Sequence, residues 1–194
     1  MKDNVIQLDL SDSIIQEPIE SFPNWDWIEA GIKILRDTGI EALTIKNIAE
    51  EMNSDETEFS RLFNGVESYM VTLLDYWYEK ETLKYVDLLD DIKGDAGEIM
   101  LAMTEIIHHI DKSDEIAIRN MALKCPNAHD ALARVDRTRL DVGISLFKEL
   151  GFSEKECSIR SKIFYTTSIG TEYTSISSSL DQKIAMCKLL MQLD

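Results

Sequence analysis

A long stretch of the chain, residues 66–92, contains neither glycine nor proline. Apolar side chains recur through it at the spacing of one helical face: Tyr69, Leu73, Trp77, Leu83, Val86 and Leu89. A periodicity of three to four residues that no helix breaker interrupts is typical of an α-helix. The sequence therefore predicts one long helix from Val66 to Ile92.

The rest of the chain favours the same type of structure. Only 8 glycines and 3 prolines occur in 194 residues, and good helix formers such as Leu, Glu, Lys, Met and Ala dominate long segments. Apolar residues make up 44% and charged residues 29%, which is the composition of a folded protein rather than of a disordered one. We therefore predict an all-α fold.

Start and stop signals divide the chain into about nine predicted helices. Asn24, Thr44 and Asp55 are candidate N-caps, and the clearest signal is the capping box of Ser153 and Glu156. The predicted helices cover residues 25–38, 44–52, 55–64, 66–92, 95–110, 114–124, 127–150, 153–178 and 180–193.

The net charge limits the class of partner. The chain carries 20 basic and 36 acidic residues, a formal charge of -16. A field of this sign repels nucleic acids unless cations are concentrated locally. Generic affinity for nucleic acids is therefore disfavoured.

Several other classes lack their sequence signatures. Cys125, Cys157 and Cys187 are far apart and form no C-x-x-C pair, which fits a reducing compartment. Neither a signal peptide nor a membrane-spanning run occurs, so we expect a soluble, cytoplasmic protein. No motif of a nucleophile, phosphate loop or dinucleotide site is present, and Glu105 with His109 lacks a third metal ligand. We expect no enzyme activity, no cofactor and no metal.

Residues 44–64 have the pattern of a helix-turn-helix. Ala49 is small enough for two helices to approach each other closely, and Asn53 tolerates the positive φ of a tight turn. Apolar residues stand where such a motif needs contacts with each other and with the preceding helix: Ile32, Leu35, Ile48, Met52, Phe59 and Leu62. Any small helical hairpin with an apolar interior would show the same positions, so that alternative stays open here.

The segment "IEAGIKILRDTGIEALTIKNIAEEMNSDETEFSRLF", from Ile28 to Phe63, resembles the TetR family of transcriptional regulators. The resemblance includes Ala30 and the Gly39 stop of the first helix, Ile48-Ala49 and the aromatic Phe63, and "YMVTLLDYW" of the long helix follows directly. It implies a homodimer with an N-terminal DNA-binding head and a body that encloses a small-molecule site. We expect residues 1–23 to be an acidic N-terminal extension, 24–65 the helix-turn-helix domain and 66–194 the ligand-binding and dimerisation domain.

The predicted head is acidic, in contrast to the family. Between Asn24 and Asn64 it holds 4 basic and 9 acidic residues. Glu56, Glu58, Ser60 and Leu62 stand where family members usually present Lys, Thr, Tyr and His, and Val66 replaces a lysine. The residues that the resemblance places at DNA are Thr44, Lys46, Asp55, Glu56, Glu58, Ser60 and Arg61. Because phosphate neutralisation supplies much of the affinity, we expect weak DNA binding, although a carboxylate can accept from cytosine N4.

Soft and aromatic side chains of the body are candidates for an apolar effector pocket. They are Met100, Met103, Ile107, Met121, Leu140, Ile144, Phe147, Phe164 and Tyr165. For each residue taken alone, ordinary core packing is the stronger interpretation. The resemblance implies a small-molecule site in this region, so we expect these residues to bind a small apolar effector.

Small residues recur three or four positions apart in the eighth predicted helix, which allows a partner helix to approach closely. The predicted dimer residues are Thr166, Thr167, Gly170, Thr171, Thr174, Leu189 and Leu190. Close packing within one chain is the alternative. The resemblance implies dimer-forming helices here, so we expect a homodimer.

Two functions follow as hypotheses. The first is a TetR-like, ligand-responsive transcriptional regulator that binds DNA as a homodimer. The second is a protein of the same fold that has lost DNA binding and works as a ligand-binding or protein-interaction module. The acidic surface at Glu56 and Glu58 is the feature that distinguishes them.

Overall fold

The computed structural model describes residues 18–192, apart from the side chain of Glu172. Every regular element in these residues is helical, which confirms the predicted all-α class. The helices are α1 (Trp25–Thr38), α2 (Ile45–Glu51), α3 (Glu56–Leu62), α4 (Gly65–Tyr78), α5 (Lys84–Asp91), α6 (Ala96–His109), α7 (Ser113–Ala122), α8 (Pro126–Glu149), α9 (Glu154–Gly170) and α10 (Leu180–Leu190). A five-residue π-helical stretch, Glu79–Leu83, joins α4 to α5 without a break. Counted as one helix, these three elements confirm the predicted long helix and bring the described part of the chain to nine helices, as predicted.

Most predicted helix starts are confirmed. They could be predicted because each cap is a hydrogen bond between residues close together in the chain. The Thr44 hydroxyl accepts from Asn47 N at 3.2 Å, and the Asp55 carboxylate accepts from Glu58 N at 2.9 Å. The predicted capping box at the start of α9 is also present, with Glu156 N donating to the Ser153 hydroxyl and Glu156 accepting from Ser153 N. A similar box begins α6.

One predicted cap and one predicted boundary are wrong. Asn24 adopts a left-handed conformation with φ of 56° and makes no side-chain cap bond, so α1 begins without the expected cap. The eighth helix ends at Gly170 rather than at residue 178, and a 3₁₀ turn, Thr171–Tyr173, follows it. Hydroxyl groups near this end donate to backbone carbonyls, Ser168 to Phe164 O and Thr171 to Ser168 O. Such bonds compete with continued helical pairing.

The described residues divide into two compact units. The first unit contains residues 18–84 and 111–136. Its core is built around an aromatic cluster of Trp27, Phe59, Phe63 and Tyr69, whose neighbouring ring centroids lie 4.9 to 6.1 Å apart. The buried Tyr69 hydroxyl donates to Trp27 O at 2.7 Å, which fixes α4 against α1. Gly31 leaves the room that this tyrosine ring occupies.

The first unit also includes the end of the predicted acidic extension. Ile19 N donates to the Tyr76 hydroxyl at 3.2 Å, and Phe22 packs edge-on against the Tyr76 ring. Residues 1–17 of the extension lie outside the described part of the chain.

The second unit is described over residues 85–110 and 137–192. Met100, Phe147 and Cys187 are buried at its centre, and α6 packs against α10. A Cβ atom added at Gly143 would lie 2.5 Å from the Ser161 hydroxyl, which itself donates to Leu140 O. A glycine at that position therefore allows α8 and α9 to approach closely.

These packing units do not coincide with the predicted functional domains, 24–65 and 66–194. The first unit extends to Lys84 and takes in residues 111–136. The predicted domains are defined by DNA binding, ligand binding and dimerisation. The division into packing units does not test these functions, so the domains stay a prediction. None of the helices in residues 18–192 is both long enough and apolar enough to span a membrane.

Candidate functional site

The turn between α2 and α3 has the geometry of a helix-turn-helix. Asn53 adopts a φ of 51°, and Ser54 N donates to Ala49 O at 2.9 Å. Ile48, Ala49 and Phe59 are buried, while Met52 and Leu62 pack against the same core. The side chains predicted to hold the motif together are therefore in contact through one core, and the left-handed turn stands where it was expected.

The motif leaves one side of α3 open to solvent. Glu56, Ser60 and Arg61 are exposed, as are Thr44 and Lys46 from the start of α2, and Glu58 is half-buried. The Ser60 hydroxyl donates to Glu56 O at 2.8 Å within the helix. All the residues predicted to face DNA thus lie on the helix-turn-helix, and none of them is buried.

Carboxylates dominate the first turn of α3. Asp55, Glu56 and Glu58 stand there, where negative charge complements the helix dipole and stabilises the helix. The backbone N–H of Glu58 donates to the Asp55 carboxylate and holds its pKa below the usual range, so this group is charged at neutral pH. The end of α3 that would approach phosphates is therefore negative.

The cations of the helix-turn-helix are already paired with neighbouring carboxylates. Arg61 donates to Glu58 at 2.9 Å, and the Lys46 ammonium lies 3.7 Å from Glu50. Both cations are largely exposed, and such pairs contribute about 0.5 kcal/mol. A phosphate could therefore displace either carboxylate at low energetic cost, although the carboxylate would stay nearby.

Sequence patterns did not reveal a group of charges around the buried Lys80 in the first unit. The Lys80 ammonium lies 2.7 Å from Glu29 and 3.9 Å from Asp114, and the Tyr76 hydroxyl donates to the same Glu29 carboxylate at 2.5 Å. Arg36 donates to Asp114 at 2.8 Å. We call these five residues the buried ion network after Lys80, since Lys80 and Tyr76 are buried, Glu29 and Asp114 are half-buried and Arg36 is exposed. It joins α1 to the end of α4, the π-helical stretch and α7.

Burial changes the titration of this network. Burial raises the pKa of Asp114, and the nearby Lys80 and Arg36 charges oppose that rise. Burial and the hydrogen bond to Glu29 raise the pKa of Tyr76, so its hydroxyl stays protonated and donates. The π-helical stretch carries Lys80 and the buried Thr82, and π-helical turns are frequent at functional sites. The sequence carries no local signal for this network, because Glu29 and Lys80 are 51 residues apart in the chain.

The residues predicted to form an effector pocket are spread over both units. Met121 is buried in the first unit, where it borders a cavity of about 430 Å³ between the end of α1 and α7. The remaining predicted residues belong to the second unit. Met100 and Phe147 are fully buried in its core, and Met103 and Ile144 pack against that core.

A second cavity, of about 230 Å³, lies within the second unit between α6, α9 and α10. Ile107 and Phe164 are the two predicted pocket residues that border it. Leu140 and Tyr165 are half-buried elsewhere in the unit. Most of the cavity wall comes from α10 and the end of α9, which the sequence interpretation had assigned to dimerisation.

The residues predicted for a dimer interface are spread over α9, the segment after it and α10. Thr166, Thr174 and Leu189 are exposed, the last with 63% of its surface, and Thr167, Gly170, Thr171 and Leu190 are half-buried. A Cβ atom added at Gly170 would meet nothing within 4 Å in the protomer. Further exposed apolar side chains, which sequence reasoning missed, lie on the same two helices: Ile159, Ile163 and Met186.

Neither a scan against protein-family models nor a search of curated proteins gave a match. Among solved structures, the chain is similar to a protein from Pseudomonas aeruginosa PAO1 described as a "putative transcriptional regulator". The two chains are 11% identical, the alignment covers 84% of this chain and 86% of the other, and the TM-score is 0.68. At this identity the similarity establishes the fold and leaves the function to be argued from the site.

Proposed function

We propose that this chain is a TetR-like transcriptional regulator that binds DNA as a homodimer and responds to a small ligand. The observation that carries the proposal is the pair of short helices α2 and α3, joined by the left-handed turn at Asn53 and followed directly by α4. In a helix-turn-helix of this kind the second helix lies in the major groove. The similarity in fold to the Pseudomonas aeruginosa protein is in keeping with this role.

The homodimer is supported by the exposed apolar side chains of α9 and α10. Ile163 and Leu189 expose 46% and 63% of their surface, and Gly170 on the same helix as Ile163 leaves space for a neighbouring helix. Contiguous apolar surface on a folded protein commonly marks an interaction site. A dimer would place two copies of α3 on one duplex, which is how helix-turn-helix proteins read two half-sites.

The ligand response would pass along residues 66–92, which connect the helix-turn-helix to the rest of the chain. The buried ion network holds the middle of that segment to α1 through Glu29 and Lys80. A change in the position of α4 would therefore move α1 as well, and with it the core on which α3 rests.

A second function is favoured by one specific observation, the pairing of Lys46 with Glu50 and of Arg61 with Glu58. In this alternative the helix-turn-helix no longer binds DNA, and the protein works as a ligand-binding or protein-interaction module. The exposed carboxylates of α3 would then face a partner other than nucleic acid.

Selection of binding sites from a random duplex library separates the two functions. The full chain is incubated with the library at low salt, and bound duplexes are amplified and sequenced over several rounds. The proposal predicts enrichment of an inverted repeat, because a two-fold dimer presents two equivalent α3 helices. A library that stays unenriched would contradict DNA reading and support the alternative.

A further inference from the structure

The second unit holds a cavity of about 230 Å³ between α6, α9 and α10. Thr104 of α6, Phe164 of α9 and Cys187 of α10 border it and are almost completely buried. A buried apolar cavity of about 150 Å³ binds benzene. The cavity of this chain is somewhat larger, so it suits a molecule of roughly nine or ten non-hydrogen atoms.

Several polar groups of the cavity wall are already used within the protein. The Thr104 hydroxyl and the Cys187 thiol donate to the same carbonyl, Met100 O, at 2.8 and 3.7 Å. The Ser168 hydroxyl, whose residue also borders the cavity, donates to Phe164 O at 2.8 Å. Burial raises the pKa of the Cys187 thiol, so this group is uncharged at neutral pH. These groups therefore contribute neither a charge nor a free donor to a ligand.

The rest of the wall favours an uncharged occupant. Ile107, Met186 and Leu190 add apolar surface to that of Phe164. Lys183 also borders the cavity, and it already has an interaction of its own. Moving a charged group from water into such a site costs a large free energy unless the group finds an opposite charge or hydrogen bonds there. The wall therefore suits an uncharged, apolar molecule.

The outer side of the cavity is open and apolar. Ile163, Met186 and Leu189 all border the cavity, and each is an exposed large apolar side chain in the protomer. A ligand bound here would leave part of its apolar surface in water, which lowers affinity. The site is therefore incomplete in a single copy.

Two observations indicate what covers this side. Of the eight large apolar side chains that are exposed in residues 18–192, six lie on α9, α10 and the segment between them: Ile159, Ile163, Tyr173, Ile176, Met186 and Leu189. Residues 153–190, which contain both helices, carry five basic and four acidic residues, whereas the whole chain has a formal charge of -16. Two copies of such a chain approach with the least repulsion where each is nearly neutral. The occupant that fits the open side is a second copy of this chain.

Building on the homodimer of the proposed function, we propose that the cavity between α6, α9 and α10 binds a small, uncharged apolar molecule and that the second copy closes it. The ligand contacts Phe164 on the buried side and Ile163 and Leu189 on the open side. Because the closed site exists in the dimer, the ligand binds the dimer more tightly than the monomer and strengthens dimerisation by the same factor.

Propylbenzene is the probe for this proposal, because its size fits the cavity and it carries no polar group. The controls are 3-phenylpropionate and 3-phenylpropylammonium, which keep its skeleton and add one charge of either sign. Calorimetry on the full chain measures the three affinities. We expect propylbenzene to bind at least about tenfold more tightly than either charged analogue, since an unpaired charge is costly to bury. Equal or tighter binding of a charged analogue would overturn the uncharged assignment.

The position of the ligand is tested by methionine methyl NMR. Met186 borders the proposed site, whereas Met121 borders the larger cavity of the first unit. With methyl-labelled methionine in the full chain, bound propylbenzene should give a nuclear Overhauser effect to the Met186 methyl group and none to that of Met121. The reverse pattern would place the ligand in the first unit and overturn the site.

Closure by the second copy is tested on the unmodified chain by sedimentation equilibrium. The dimer dissociation constant is measured with and without propylbenzene, and we expect the ligand to strengthen the dimer by about tenfold. A constant that stays the same, or that rises because the ligand competes with side chains of the second copy, would overturn closure.

A monomeric variant gives an independent test. Ile159 exposes 48% of its surface on α9 and does not border the cavity, so Ile159→Asp should prevent dimerisation without touching the ligand. With the helical circular dichroism spectrum intact, propylbenzene should bind this variant at least about tenfold more weakly. Val71→Asp, at an equally exposed apolar position on α4, is the matched control and should change neither property. Equal affinity of the monomeric variant and the dimer would overturn closure.

The measurements use no DNA, so they separate this inference from the proposed regulation. A chain that dimerises and reads DNA but does not bind propylbenzene overturns the inference alone. One that binds propylbenzene as a dimer but enriches no DNA sequence overturns the DNA-reading function alone. A chain that stays monomeric with and without propylbenzene overturns both the homodimer and closure by it.

Discussion

Gly31 lies where α1 passes the Tyr69 ring. A Cβ atom added there would overlap the Tyr69 hydroxyl oxygen and lie 2.8 Å from the ring carbon that carries it. The ring cannot move away easily, because it is fully buried and packs against Phe59 and Phe63. The helix-turn-helix core therefore depends on the absence of one methyl group.

We expect Gly31→Ala to destabilise the protein by about 2–3 kcal/mol, because overpacking a tight core forces side chains out of their rotamers. Urea titration followed by circular dichroism measures the free energy of unfolding. Gly170→Ala is the matched control, since a Cβ atom there meets nothing within 4 Å in the protomer and alanine favours helix. A Gly31→Ala protein as stable as that control would show that the Tyr69 position is wrong.

Lys80 is the buried cation of the ion network and contacts two carboxylates, those of Glu29 and Asp114. We expect Lys80→Met to destabilise the protein by about 2 kcal/mol at neutral pH, because it leaves the half-buried Glu29 carboxylate without its cation and leaves Asp114 with Arg36 alone. Lys46→Met, at an exposed pair, is the control and should change the free energy of unfolding by less than about 0.5 kcal/mol.

The same variant should show a particular pH dependence. Burial raises the pKa of Asp114, so its contribution to stability is complete below its unfolded pKa and is lost as the pH rises through its folded pKa. Lys80 opposes that rise, and its removal moves the folded pKa of Asp114 further up. The stability difference between wild type and Lys80→Met should therefore shrink as the pH is lowered from about 7 to about 4.5. A difference that widens over this range would contradict the network.

How far single residues could be predicted depends on how far away their partners are in the chain. Asn53, Asp55 and Ser153 were predicted with their roles because each role is set by residues no more than five positions away. Lys80 was not, because its partners come from α1 and α7. Met121 lies in the core of the first unit, whereas the other predicted pocket residues belong to the second unit, and periodicity could not show this because it indicates that a side chain is buried and not which core it enters.

The helices α2 and α3 depend on caps, a turn and a shared core, so their buried side chains could be predicted from the sequence. The function of the outer face of α3 could not be predicted in this way, because charges at solvent-exposed positions have little effect on folding. Glu56 and Glu58 are compatible with the fold whether or not the helix meets DNA.

We expect Glu56→Lys combined with Glu58→Thr to tighten DNA binding at low salt. The double change removes two carboxylates from the first turn of α3 and frees Arg61 from its partner. Fluorescence anisotropy with a labelled duplex measures the affinity. Asp90→Lys combined with Asp91→Thr makes the same charge change at exposed positions near the end of α5 and should have a smaller effect. If both double variants bind DNA equally, overall charge rather than the position of α3 sets the affinity.

The end of α9 and the start of α10 were harder to predict than the first helices. Serine and threonine dominate residues 174–179, and their hydroxyl groups support both helix ends and irregular turns. The position of Gly170 within α9 was predicted, and its role in dimerisation stays a prediction.

Gly170→Leu should weaken dimerisation, because the larger side chain occupies the space that a second helix would use. Sedimentation velocity over a range of concentrations should give a smaller mean mass for this variant than for wild type. Gly170→Ala adds one methyl group and should retain most of the dimer. A wild-type mass equal to one 22.2 kDa chain at every concentration would contradict the proposed dimer.

At the scale of the whole molecule, the fold favours DNA binding and the net charge disfavours it. The fold carries a helix-turn-helix, whereas the formal charge of -16 disfavours contact with a polyanion. If the protein reads DNA, it must do so with few phosphate contacts and through Lys46 and Arg61 of each copy. The salt dependence of binding counts those contacts directly.

DNA binding through α3 is tested most directly by titrating the full chain into a duplex, selected or random, at a series of salt concentrations. A dimer that uses Lys46 and Arg61 in each copy makes about four phosphate contacts, and the logarithm of the binding constant should fall with the logarithm of salt concentration with a slope of about -3.6. Lys46→Met combined with Arg61→Met should bring that slope close to zero. An unchanged slope in the double variant, or no binding by wild type at the lowest salt, would contradict DNA binding through α3.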